Sequence, residues 1–174
     1  MKIIPFVSFL ILLFACKEIT FREPQPKGKK SLKEIPEKLC GMYLLNAEDD
    51  NSKDTLYVTK DGYMMASDKK KNALGDTLVV KNFKGYYFVN TNENPEWLLR
   101  IIKPEKNGDL LYMSMDVEES KFNSLITALS KEVPLDSSEV NGEKLYQIDP
   151  TPKQLITLIK KGYFKKTILM KRIK

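Results

Sequence analysis

The chain has 174 residues, 29 of them basic and 23 acidic, and it contains no histidine. The missing imidazole excludes Ser-His-Asp and Cys-His catalysis, histidine-based zinc sites and the His-Glu-x-x-His motif together. The net charge of +6 conceals an acidic body with a basic end: residues 39–152 carry 13 basic and 19 acidic groups, whereas residues 153–174 carry eight basic groups and none acidic. Such an end suits anionic head groups or an acidic partner, and the acidic body argues against nucleic acid. Neither G-x-x-x-x-G-K-[ST] nor G-x-G-x-x-G occurs.

Along the chain, Lys2 precedes an apolar run over residues 3–14, and small Ala15 follows it. These are the three parts of an export signal. The run contains Pro5 and is shorter than the roughly 20 residues that a membrane-spanning helix needs. Its end, Leu13-Phe14-Ala15-Cys16, resembles the lipobox of bacterial lipoproteins, with a Phe bulkier than usual at the second position. The resemblance covers sixteen residues. It implies cleavage between Ala15 and Cys16, a diacylglycerol on the Cys16 thiol and an acyl chain on the new amino terminus. It therefore implies a membrane as partner through the anchor. Lys17 stands where inner-membrane lipoproteins often carry Asp, so the resemblance leans toward the outer membrane. With Cys16 lipidated, Cys40 has no partner within the chain, and its apolar setting Leu39-Cys40-Gly41-Met42 reads as a structural thiol. An intermolecular bridge or a reactive thiol is the alternative.

Residues 17–38 hold Pro24, Pro26, Gly28, Pro36 and seven basic groups, with few apolar anchors. They read as a flexible tether, which puts the single globular domain at residues 39–174. From Gly41 onward, short β-rich runs alternate with turn signals. Strands are expected at 42–46, 54–60, 63–67, 76–81, 86–91, 97–103 and 109–116. Asp61-Gly62, Lys84-Gly85 and Asn107-Gly108 mark hairpins between them. All the connections are short, so successive strands should be neighbours. Gly41-Met-Tyr-Leu-Leu-Asn, Gly62-Tyr-Met-Met-Ala-Ser and Gly85-Tyr-Tyr-Phe-Val-Asn also form a faint repeat, one hairpin per unit.

Residues 97–102 and 110–115 are apolar on both faces apart from Arg100 and Ser114, so both faces should be covered. The helices next along the chain are the natural cover. Phe122, Leu125, Ile126 and Leu129 form one helical face, and Asp116 with Glu119 resembles a capping box. A second helix is expected with Thr151 as N-cap, Pro152 at its first position, Leu155, Leu158 and Ile159 inward and Gly162 at its end. Strands at 144–148 and 164–173 complete a β-rich α+β domain. It is an antiparallel meander, able to curl toward a barrel, with two helices and a C-terminal strand.

Tyr63, Tyr86, Phe88, Trp97 and Tyr112 are candidates for lining a cavity if the sheet curls. The alternative is that these aromatics are simply core. Glu48, Asp49, Asp50 and Asp54 crowd one loop, but their spacing fails the EF-hand pattern, so no metal or cofactor is expected. Binding of a protein, a glycan or a small apolar ligand at the membrane is the leading expectation. A carboxylate-using envelope enzyme and a structural or assembly lipoprotein are the rivals.

Overall fold

A computed structural model describes residues 19–46, 53–115, 119–140 and 143–174. The signal segment, Ala15, Cys16, the acidic loop residues 48–52 and Asp116 lie outside these. Within them, β1 (Ile19–Phe21) leads to a 3-10 turn at Glu37–Leu39. The central run comprises β2 (Gly41–Asn46), β3 (Lys53–Thr59), β4 (Gly62–Met65), β5 (Lys71–Ala73), β6 (Leu78–Phe83), β7 (Tyr86–Asn92), β8 (Trp97–Pro104) and β9 (Leu110–Ser114). Then come α1 (Glu119–Leu129), β10 (Leu135–Val140), β11 (Glu143–Ile148), α2 (Pro152–Lys160) and β12 (Lys165–Arg172). The β-rich α+β meander is the observed fold, and its sheet stays unclosed.

The sheet forks at β8. One edge of β8 carries β7 and then β6; the other pairs β9 through Ile101–Pro104 and β1 at Trp97. Beyond β9 the order runs β12, β2, β3, β4, β5, while β1 leads to β11 and β10. The C-terminal strand is thus interior, clamped between β9 and β2. Three features depart from the expected meander. β5 is inserted after β4, so β4 pairs β5 and β6 pairs only β7, and the second repeat unit is not a hairpin equivalent to the others. β10 forms an edge strand beside β11. β1 runs parallel to β11, which makes the sheet mixed.

The tether reading is corrected from Ile19 onward. Ile19, Phe21 and Ile35 are buried, because the apolar residues that look sparse in the sequence each pack into a different part of the domain. A buried polar cluster fixes the stretch between them. The Asn90 side chain accepts from the Gln25 N–H at 2.6 Å and donates to the Gln25 carbonyl at 2.9 Å. Lys81 Nζ donates to the Pro24 and Pro26 carbonyls at 2.6 and 3.2 Å. Burial pulls the Lys81 pKa down, and these carbonyls supply the partners that a buried ammonium requires. Residues 31–35 then lace the open sheet: Leu32 N donates to Val80 O on β6, and Ile35 N to Lys60 O in the β3–β4 turn, both at 2.7 Å.

Strand alternation divides the interior into two cores. Phe88, Leu99, Ile101, Leu111 and Met113 face the helices, where Phe122, Leu129, Leu155, Leu158 and Ile159 cover them. Tyr87, Val89, Ile102, Leu110 and Tyr112, from the same strands, face the hollow of the curled sheet. The doubly apolar strands are therefore covered on both sides, as their sequences require. α2 has the predicted ends. Thr151 and Gln154 form a capping box with Pro152 behind it. At the other end Gly162, at φ +80°, ends the helix with Tyr163 N donating to Leu158 O and Gly162 N to Ile159 O.

Candidate functional site

The hollow side of β2–β9 and β12 encloses a cavity of about 740 Å³. The register sets its layers. Val80, Val89 and Arg100 stand in one row across β6, β7 and β8. One row further in lie Tyr87, Ile102 and Tyr112, with Ile168 opposite on β12. Deeper still, Leu110 and Met170 pair, and buried Ile35 and Leu39 complete the floor. On the other side of the Arg100 row come Leu78, Thr91 and Leu98. Thr77, Asn92, Glu93, Lys70 and Lys71 follow toward solvent. The walls across from Arg100 are Leu56 and Val58 of β3 and Tyr63 and Met65 of β4.

The floor is held from outside. Tyr43, fully buried, donates its hydroxyl to Leu39 O at 2.9 Å. The Arg172 guanidinium donates to Lys38 O and Cys40 O at 3.0 and 2.6 Å and lies 5.7 Å from the Tyr43 ring centre. Cys40 is half-buried, its Sγ 3.6 Å from Pro36 O, and burial pushes its thiol pKa up, which suits a structural thiol.

Electrostatics concentrate at the open side. Lys70, Lys71 and Arg100 line the cavity against one carboxylate, Glu93, among the described residues. Lys71 is bound by Asp61, a residue outside the lining, and that bond is the main reason the Asp61 carboxyl is lowered to about 2. Burial pushes the Tyr63 phenol up, with Asp68 and Glu93 adding to the effect and the charge of Arg100 opposing it.

Of the five aromatic candidates, Tyr63 and Tyr112 line the cavity. Tyr86, Phe88 and Trp97 do not. Phe88 is fully buried beneath the helices and Tyr86 and Trp97 pack against the same core. The reason is the phase of the strands: since Tyr87, Val89 and Leu98 point inward, their neighbours must point out. Sequence reasoning missed the aliphatic lining, Leu39 at the start of the domain, and Ile35 from the supposed tether. The available signal was Arg100, a charge interrupting an otherwise apolar strand. Asp54 of the acidic loop accepts from the Thr55 N–H and the Ser67 hydroxyl. Among the described residues no group of three or more Cys, Asp or Glu gathers as a metal ion would need. No described helix is long and apolar enough to cross a membrane.

No family model matches the chain. No curated protein and no solved structure resembles it significantly.

Proposed function

We propose that this is a lipid-anchored cell-envelope protein, on the outer membrane, whose domain is a non-catalytic binding module for a small apolar ligand. The observation that carries the reading is the cavity. Its 740 Å³ falls within the roughly 300–1,000 Å³ of small-molecule sites, which are mostly apolar with a few placed polar groups. Aliphatic walls, a sealed floor and charged groups confined to one side have that character. A protein or a glycan partner is the weaker choice, because a hollow of this depth offers neither a flat surface.

Cys16 is the proposed anchor, carrying a diacylglycerol and an acyl chain. One chain binds a bilayer only marginally, and two or more hold durably. Because β1 begins at Ile19, residues 17 and 18 are the whole spacer. At about 3.5 Å per residue the domain then starts within roughly 10 Å of the lipidated residue. It would sit on the bilayer rather than on a long stalk.

Two measurements test the reading. Labelled palmitate should be incorporated into the wild type and not into Cys16→Ser, and the variant should leave the membrane fraction; unchanged membrane association would remove the anchor. Native mass spectrometry of the protein taken from its own membrane should show a bound small molecule. Val80→Trp, which fills the hollow from β6, should lose it. Wild-type protein that is always ligand-free, and that takes up no apolar probe, would refute the binding module.

A further inference from the structure

The hollow is shut at one end and open at the other, and the strand register gives it a length. We infer that it takes one unbranched alkyl chain end-on, and that Met170, at the shut end, sets the longest chain the site buries completely. This rests on the binding-module reading above and narrows it to a chemical class.

The class follows from the lining. On β2, β3, β4, β8, β9 and β12 every lining residue is aliphatic, aromatic or methionine apart from Arg100. Arg100 is already engaged within the protein, where its guanidinium donates to Leu99 O at 3.2 Å, so it serves as wall. Lys71 is held by Asp61, and Lys70 and Glu93 stand at the solvent end. A ligand polar along its length would bury most of its polar groups without partners, at a cost in binding. The part that enters is therefore plain hydrocarbon.

The shape follows from the register. Leu98 pairs with Thr91 near exposed Glu93, and Pro104, further along β8, pairs with Leu110 at the floor. At about 3.4 Å per strand residue these two levels are roughly 20 Å apart. Spread over that length, the 740 Å³ makes a hollow roughly three times as long as it is wide. An extended carbon chain with bonds of about 1.5 Å and near-tetrahedral angles advances about 1.25 Å per carbon, so roughly sixteen carbons span it. The far end is closed by packing. Met170 is 2 % exposed and pairs with Leu110. The next pair on the same face of the sheet is Arg172 with Tyr43, and neither lines the hollow. The Arg172 guanidinium is fastened to Lys38 O and Cys40 O, which fixes that layer beneath Met170. Met170 is thus the last side chain of β12 that a descending chain meets.

The experiment is a calorimetric titration of the intact chain, held in a fluorinated surfactant whose tails do not mix with hydrocarbon. The probes are the straight-chain alcohols from octanol to octadecanol, with cholesterol as a rigid apolar probe. The alcohols should bind one to one. Affinity should rise by up to about fourfold per methylene, the gain from burying each one, and level off near hexadecanol. Cholesterol should bind at least about tenfold more weakly than hexadecanol. Met170→Ala cuts the floor side chain back to its Cβ and should move the levelling point out by about two carbons, while decanol stays within about threefold of wild type and so certifies a folded cavity. Should that variant fail to fold, Met170→Leu, whose side chain reaches less far, should move the point by about one carbon. Affinity that keeps climbing through octadecanol in the wild type, or a levelling point that stays put in the folded variant, would overturn Met170 as the gauge. Cholesterol binding tighter than hexadecanol would overturn the alkyl chain. Each of these leaves the binding module intact. If no probe binds and Val80→Trp changes nothing, the binding module itself fails.

Discussion

Asn90→Ala is expected to destabilise the domain more than its single side chain suggests. Asn90 is fully buried on β7, and it holds both backbone groups of Gln25, which is itself fully buried. Its amide also donates to Val79 O and Phe88 O, both at 3.1 Å. Alanine orphans the Gln25 N–H and carbonyl, each at about 1–3 kcal/mol if it stays buried without a partner. The segment can relax toward water, so the lower half of the combined range applies, about 3 kcal/mol. In a domain of this size 1 kcal/mol moves the melting temperature by about 2–4 °C, which gives a fall of about 6–12 °C. Thermal unfolding of the intact chain measures it. Limited trypsin digestion supplies the local readout. Lys27, Lys29 and Lys30 lie just beyond the pinned residues and should resist cleavage in the wild type and be cut early in the variant. A shift below about 2 °C with unchanged cleavage would refute the pin, and early cleavage of the wild type there would restore the flexible tether.

Gly62→Ala should detach β5 from β4, because an added Cβ would stand 2.0 Å from the Asn72 carbonyl at a backbone φ of +155°. A melting temperature within about 1 °C of wild type would contradict this, since strained positions of this kind cost on the order of 1–3 kcal/mol. The Asp61–Lys71 bond should show as an acid titration. The folded carboxyl, at about 2, is depressed below its ordinary 3.8, so its contribution is complete above about pH 4 and is lost as pH falls through 2. Carboxyl chemical shifts should place the Asp61 midpoint near 2 and move it up in Lys71→Met; a wild-type midpoint at 3.8 would dismiss the pair. Truncation after Gly162 removes the strand between β9 and β2 and leaves apolar edges on both sides. It should yield aggregated protein without native near-ultraviolet circular dichroism, and a soluble, cooperatively melting product would disprove the structural role of β12.

What the sequence discloses here is what local chemistry determines. The ends of α2 are legible because a capping box, a proline at the first helical position and a terminal glycine act within a few residues of themselves. The hairpins at Asp61-Gly62 and Lys84-Gly85 are legible for the same reason: Lys84 and Gly85 take φ +53° and +83°, which the two-residue turn requires. β1 is not legible. Ile-Thr-Phe is three residues long and flanked by charge, and it becomes a strand only because β11, more than 120 residues away, offers an edge. The aromatic candidates fail for a subtler reason. Tyr86, Tyr87 and Phe88 are adjacent and similar, so nothing local says which of them faces the helices, and the phase is set when β7 pairs with β8. With both faces apolar, hydrophobicity cannot choose between them.

The same duplicity explains how so small a domain forms a hollow at all. A sheet with one wet face has one core, and its other side is open to water. Here β7, β8 and β9 are apolar on both faces, so they serve as a shared wall: the helices cover one side, and the continuation of the sheet through β12, β2, β3 and β4 curls around the other. Covering a concave face with another part of the same sheet cannot bring the two surfaces into contact everywhere, since the curvature is limited by strand twist. Space is left in the middle. The N-terminal segment completes the arrangement. It contributes β1 to the helix-covered layer, crosses under the pin at Asn90 and laces the base with Ile35 and Leu39 as floor. The same segment, residues 19–39, thus contributes both to the helix-covered layer through β1 and to the floor of the proposed binding site through Ile35 and Leu39.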